Sequence, residues 1–255
     1  GYYDVNENLA KEAATFTETT FIEDLETIVK ISDTLFLTVP DDLITTVWNQ
    51  MKDMSLEGKF ICHCSGALSA GDAFPGIDKC GAFGYSVHPL FAVSDKYNSY
   101  KELSHAYFVI EGDEKHREEI AGIFNNLGNE VRYIAAKDKV KYHCAAAVCS
   151  NHVVALIQES LDLMQECGFD EESALKALAP IMLGNMQHIA ERGTVNSLTG
   201  PVERADVKTV EKHLNCLDEK QQMIYRLLSE VLISIGEKKN PGRDYGRLKH
   251  ILGNE

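Results

Sequence analysis

Thr34-Leu35-Phe36-Leu37-Thr38-Val39-Pro40-Asp41-Asp42 is the stretch on which the reading of this sequence turns. The run from Thr34 to Val39 is nearly all apolar, too short for a helix and without the alternation of a strand that has one wet face. It predicts a strand buried on both faces, as found inside parallel sheets covered by helices. Pro40 stops it and can open a helix, because its missing N–H costs nothing in a first turn. Asp41 and Asp42 then suit the positive end of that helix.

The same alternation extends to either side. Upstream, residues 1–4 read as the end of a strand, Asn6 caps a short helix running to Ala14, and residues 22–31 are helical with Leu25, Ile28 and Val29 on one face. Downstream, strands are expected at 59–63, 82–87, 106–110 and 130–134. Ser65-Gly66 turns the chain after the first of these, and His88-Pro89-Leu90 breaks the second. A helix over 114–127 ends at Gly128. Short apolar runs alternating with helices predict an α/β domain with a largely parallel sheet over residues 1–135. From Lys137 the period becomes 3.6 and strands disappear. Helices are expected at 138–167, 170–190, 206–216 and 219–235, giving an all-α C-terminal domain over 136–255. The first helix carries an apolar surface too broad for a single stripe, which suggests burial on more than one side.

The 39 acidic and 25 basic side chains give a net charge of -14, a field that repels phosphate backbones and anionic lipid. The densest basic segment, from Lys238 to Lys249, is interrupted by Glu237 and Asp244 and reads as a solvated tail, so neither nucleic acid nor membrane is expected as a partner. The seven cysteines form no CxxC pair. Cys62 and Cys64 share one strand face while His63 points the other way, so no metal site is expected and buried free thiols are. With no leader-like start and no apolar stretch of spanning length, the sequence points to the cytoplasm.

Several residues stand where an open sheet presents its loops to a ligand. Thr38-Val39-Pro40 follows the first strand and offers a cofactor contact or simply a helix start. Ser65-Gly66 offers a hydroxyl and close backbone approach, or a plain turn. His63 is a strand-end contact. His88, before Pro89, is a candidate proton donor or a structural hydrogen bond holding its turn. His143 and Asn151, eight residues apart, can share a helix face, with His143 as acid/base and Asn151 as orienter; the alternative is a satisfied buried pair. Lys141 diverges by about 200 degrees from His143 and falls outside that face. Asn185, Thr199, Arg204 and Asp206 form a second group, in which Arg204 clamps a carboxylate or, with Asp206, stabilises the loop and caps the next helix. Ser65 lacks a GxSxG elbow, which argues against a hydrolase, and Cys144 and Cys149 read as buried packing.

No GxGxxG lies between a strand and a helix, so the phosphate-binding fingerprint is missing, although Asp4 stands where an acidic side chain accepts from an adenosine ribose. A further strand and glycine loop of about 25 residues would complete the pattern.

Leu35-Phe36-Leu37-Thr38-Val39-Pro40-Asp41-Asp42, His63-Cys64-Ser65-Gly66-Ala67-Leu68-Ser69, Ser86-Val87-His88-Pro89-Leu90, Tyr142-His143-Cys144-Ala145-Ala146-Ala147, Ser150-Asn151 and Leu198-Thr199-Gly200-Pro201-Val202-Glu203-Arg204-Ala205-Asp206 together resemble the Rossmann-like proteins with a helical DUF2520-type C-terminal domain, often described as NADP oxidoreductases. These are distantly similar to the 6-phosphogluconate dehydrogenase, pyrroline-5-carboxylate reductase and ketopantoate reductase superfamily. The resemblance implies NAD or NADP as cofactor, a homodimer formed through the helical domain, and hydride transfer to or from a small carbonyl or imine substrate. Asp4, in place of a Ser-Arg pair, tilts the comparison toward NAD. A non-catalytic nucleotide or metabolite sensor on the same scaffold, and a mainly structural dimerisation module, are the alternative readings.

Overall fold

The computed structural model describes residues 1–253. The chain divides into two compact units, Gly1–Val153 and Val154–Glu255.

In the first unit, an isolated parallel bridge joins Tyr2 to Phe21 across helix α1 (Glu7–Phe16). Asn6 caps α1 as expected, its side chain accepting from the Asn8 amide at 3.1 Å. Then follow α2 (Leu25–Ile31), β1 (Thr34–Leu37), α3 (Asp41–Met51), β2 (Phe60–His63), the short α4 (Ala70–Ala73), β3 (Phe83–Leu90), β4 (Tyr107–Gly112), α5 (Arg117–Asn125) and β5 (Val131–Tyr133). The strands form one sheet in the order β1-β2-β3-β4-β5, and every pairing is parallel except that of β3 with β4. Helices bury one side of this sheet with Trp48 at the centre. Its indole N–H donates to the Pro75 carbonyl at 3.1 Å and its ring packs on Phe74. A second cluster, including Tyr85, Val87, Ile110 and Ile120, lies between the sheet and α5.

Three expectations for this half need correcting. β1 is an edge strand in which Leu35 and Leu37 are buried while Phe36 is 39% exposed, so it is covered on one face rather than two. His88-Pro89-Leu90 does not break its strand: β3 continues to Leu90, pairing Pro89 with Phe108 and Leu90 with Tyr107. Proline is tolerated there because the pairing of β3 with β2 ends at Ser86, leaving that flank of Pro89 without a ladder. The boundary between units also falls at 153/154, not at 135/136. The helix after the sheet, α6 (Lys139–Cys149), belongs to the first unit, and its Lys139 is buried against the turn after β2 and against β3.

The expected helix over 138–167 is two helices, α6 and α7 (Asn151–Glu166), separated at Ser150 (φ -113°, ψ -75°). The Ser150 hydroxyl donates back to the Ala146 carbonyl at 2.8 Å, an i to i-4 bond that bends helices. By length and composition the run Ala136–Glu166 reaches what a membrane crossing requires, contrary to expectation. Its first turn is nonetheless tied to the sheet loops by Lys139.

The second unit contains α8 (Glu171–Ser197), α9 (Val207–Cys216), α10 (Glu219–Lys239) and α11 (Gly246–Leu252). Asp170, Asp206 and Asp218 cap α8, α9 and α10, each accepting from a backbone amide three residues on. α8 runs seven residues beyond its expected end at 190, across a non-helical Gly193 (φ 75°, ψ 170°). The basic segment is not a solvated tail: Leu248 and Leu252 of α11, with Tyr245, are buried against Val210, Leu214 and Ile233. Of the seven cysteines, all free, only Cys62 is buried; Cys144, Cys149, Cys167 and Cys216 are exposed in the single chain, correcting the expectation of buried thiols.

Candidate functional site

β1, β2 and β3 lie side by side, and the turn leaving β2 and the later part of β3 meet the first turns of α6. The Ser65 hydroxyl donates to Asp41 Oδ2 at 2.5 Å, tying the turn after β2 to the start of α3. The same oxygen accepts from the amides of Ala67 (3.3 Å) and Leu68 (3.0 Å), and the Ser65 amide donates to Nδ1 of the fully buried His63 at 3.1 Å. These contacts fix a tight turn around Gly66. A Cβ at Gly66 would stand 2.9 Å from His88 Nε2 and collide with the His143 ring, so glycine is needed for the two histidines to approach. Ser65, His63 and Asp41 do not form a catalytic triad, because the serine hydroxyl bonds the carboxylate directly and meets His63 only through its backbone.

One and a half turns of α6 supply the opposite wall. Lys139, Tyr142 and His143 are spaced i, i+3 and i+4 and therefore share a face. The Tyr142 hydroxyl lies 2.8 Å from His88 Nδ1, and the rings of His88 and His143 are 6.0 Å apart, edge to face. Lys139 is 1% exposed; its ammonium donates to the Ser65 carbonyl at 3.1 Å and to the Ser86 hydroxyl, which itself donates to the Ser65 carbonyl at 3.0 Å. Burial pulls the Lys139 amine down to about 8, partly offset by Glu111 and Asp41. Burial, reinforced by the Lys139 charge, holds both His63 and His88 down to about 4, so both are neutral near pH 7. Burial also pushes the Tyr142 phenol up to about 12, and it stays protonated.

A cavity of about 480 Å³ opens beside this cluster. His88, Tyr142, His143 and Asn151 all line it, together with Leu90, Phe91, Cys149 and Ser150. His143 and Asn151 thus share a cavity although the helix between them is broken. Asp4, Thr38, Val39 and Pro40 line a different cavity of about 400 Å³, with Phe36 and residues of α2 and α3. There the Asp4 carboxylate accepts from the Asn6 amide at 2.7 Å, so it also organises the entry to α1. The expected cofactor residues are therefore divided: four line the second cavity, while Ser65 and Gly66 lie beneath the histidines. The two groups are linked through Pro40-Asp41 and the bond from Ser65.

Arg204 is exposed in a turn of the second unit, and Asp206 caps α9 by accepting from the Thr209 amide and hydroxyl. Asn185 and Thr199 are exposed in the same unit. Sequence reasoning missed Lys139, Tyr142 and Asp41 as members of the site. The signal for the first two was the i, i+3, i+4 spacing that ends at His143; Lys141, which was weighed in their place, is exposed.

Residues 106–232 match the family model of DUF2520, a domain of unknown function. No curated protein matches the chain by sequence. Among solved structures, protein TM1727 from Thermotoga maritima is similar at 26% identity and TM-score 0.75, over 93% of this chain and 90% of that one. BF3122 from Bacteroides fragilis, provisionally named an NADP oxidoreductase, is similar at 18% identity and TM-score 0.68, over 91% and 87%. Pyrroline carboxylate reductase from Plasmodium falciparum, solved with NADP bound, is similar at 14% identity and TM-score 0.56, over 94% and 85%. The architecture is thus Rossmann-like, with a mostly parallel sheet followed by a helical region.

Proposed function

Because the chain belongs to the DUF2520-domain proteins on a Rossmann-like scaffold, we propose that it is an oxidoreductase acting on a small carbonyl or imine with NAD or NADP. The observation that carries this reading is the cavity that brings His88, Tyr142, His143 and Asn151 together at the strand ends. Such a cleft, mostly apolar with a few convergent polar groups, suits a small molecule whose reacting atoms must be oriented.

The residues present fit part of a dinucleotide. Asp4 and Thr38-Val39-Pro40 would hold its ribose and backbone-facing edges in the second cavity, and Ser65-Gly66 would approach the nicotinamide end. No glycine-rich pyrophosphate turn occurs among the described residues. When bound, the cofactor supplies or accepts the hydride. The chain's own residues do the rest. With the Tyr142 hydroxyl donating to Nδ1, the neutral His88 ring keeps its proton on Nε2 and offers it as a hydrogen bond to the substrate heteroatom. The proton itself is assigned to His143, the second imidazole lining the cavity. Asn151 orients the carbonyl, imine or carboxamide.

A homodimer formed through the helical domain accompanies this reading. Its support is α8, whose only buried residue is Ala174, while Leu175, Ile181, Leu183 and Met186 are 46%, 61%, 69% and 48% exposed. The protein would work in the cytoplasm. The test is calorimetric titration with NAD and NADP, oxidised and reduced, followed by turnover of carbonyl and imine panels. Binding of a dinucleotide that is weakened by Thr38→Tyr supports the assignment. No binding of any of the four favours a metabolite-binding role for the His88 cavity.

A further inference from the structure

Lys139 has no role in the reaction described above, yet it is the most completely buried cation in the first unit and stands directly behind the site. A buried ammonium is costly unless its hydrogens are taken up, and two acceptors take them: the Ser65 carbonyl and the Ser86 hydroxyl. These belong to different strands. The Ser65 carbonyl immediately precedes Gly66, the residue on which His88 and His143 close, and Ser86 lies two positions before His88 on β3. The amine thus joins three elements, α6, the turn after β2, and β3, at the point where the two histidines meet. The same helical turn carries Tyr142 to His88, so a shift of Lys139 moves both the floor and the wall of the cavity.

We propose that Lys139 is a positioning residue: its buried ammonium pins the Ser65-Gly66 turn to β3 and so sets the approach and the charge of His88. The proposal rests on the cavity beside His88 being the reactive site, but its test does not. The titratable and charged groups that face His88 are Lys139, Tyr142 and His143 from α6 and Asp41 from α3. Glu111 of β4 faces Lys139 and accepts from the Ala70 amide at 2.8 Å. Asp41 favours protonation of the ring; burial opposes it first, then the Lys139 charge, with His143 adding to that opposition.

The experiment is nuclear magnetic resonance titration of the imidazoles in the full chain, with no ligand added, for wild type, Lys139→Met and Ser86→Ala. In wild type His88 titrates near 4. In Lys139→Met its midpoint moves upward by about one unit, a tenfold change in proton affinity. An unchanged His88 midpoint in a folded Lys139→Met protein overturns the proposal. Ser86→Ala keeps the charge and removes one anchor, which covers the case in which Lys139→Met does not fold. The amides of Ala67 and Leu68, which donate to Ser65, then exchange with solvent about tenfold faster or more, the scale of one lost hydrogen bond to a charged group. Exchange at the wild-type rate shows that the tie of Lys139 to β3 through Ser86 does not hold the turn and overturns the proposal. Because neither readout involves a dinucleotide or a substrate, failure here is separable from failure of the oxidoreductase reading.

Discussion

The strand ends of the first unit and helix α8 of the second invert the usual placement of side chains in opposite ways. At the strand ends, polar groups that are expensive to bury are buried and partnered: Lys139 on two oxygens, Ser65 on Asp41, His88 on Tyr142. Along α8, apolar groups that would gain from burial stand exposed, and one residue of 27 is buried. The polar groups of the first region find their partners within a single chain. The second is an exposed apolar surface, and the proposed subunit association draws on it.

The sharpest way to break this contrast is Gly66→Ala. The added Cβ meets both histidines, so turnover falls by about a hundredfold or more, the cost of displacing reacting groups by an ångström, while the mass in solution stays unchanged. Turnover within a few-fold of wild type would show that the close approach of the histidines is not needed. Next comes Leu183→Asp together with Ile181→Asp on α8. A dimer burying this face separates into monomers on light scattering, whereas a monomeric wild type would remove the association surface from the account.

Tyr142→Phe removes one hydrogen bond to His88, and a roughly tenfold loss of turnover is expected with substrate affinity little changed. Acidification separates the two regions more gently. His63 and His88 are held near 4, whereas an unfolded imidazole titrates near 6.5. Between those values the unfolded chain binds more protons, so the part of the stability that depends on these two rings is full above about 6.5 and falls as pH drops toward 4. Glu111, raised by burial, acts in the opposite sense just above the usual carboxylate range. Chemical denaturation at pH 7 and pH 5 should show the first unit losing more stability than the second, and His63→Asn should reduce the loss. The smallest effect belongs to Arg204→Ala: the side chain is exposed, so folding stability stays within about 0.5 kcal/mol, and any large fall in turnover would place Arg204 on the substrate.

Elements set by local chemistry were legible in the sequence. The caps Asn6, Asp170 and Asp206 and the start of α3 after Pro40 all follow from side chains acting on their own backbone. What escaped reading depends on neighbours distant in sequence. The antiparallel entry of β4 is decided by how the chain returns after Leu90, and strand hydrophobicity carries no direction. The break at Ser150 is a local departure of the backbone inside a run whose apolar pattern keeps a helical period, so the pattern does not mark it. Within the site, His88, His143 and Asn151 were picked out by type and spacing and do share a cavity. Lys139 was passed over because a lysine is expected at the surface, and only its acceptors, 74 and 53 residues away, make its burial tolerable.

The chain has a single tryptophan, and Trp48 is fully enclosed in the core of the first unit, with its indole N–H held by Pro75. The second unit has none. Intrinsic indole fluorescence is therefore a natural probe of one half of the molecule: its red shift in denaturant follows the melting of the sheet alone, whereas circular dichroism is dominated by the long helices of the other half. If the two curves separate, the halves unfold independently; if they coincide, they unfold as one cooperative body.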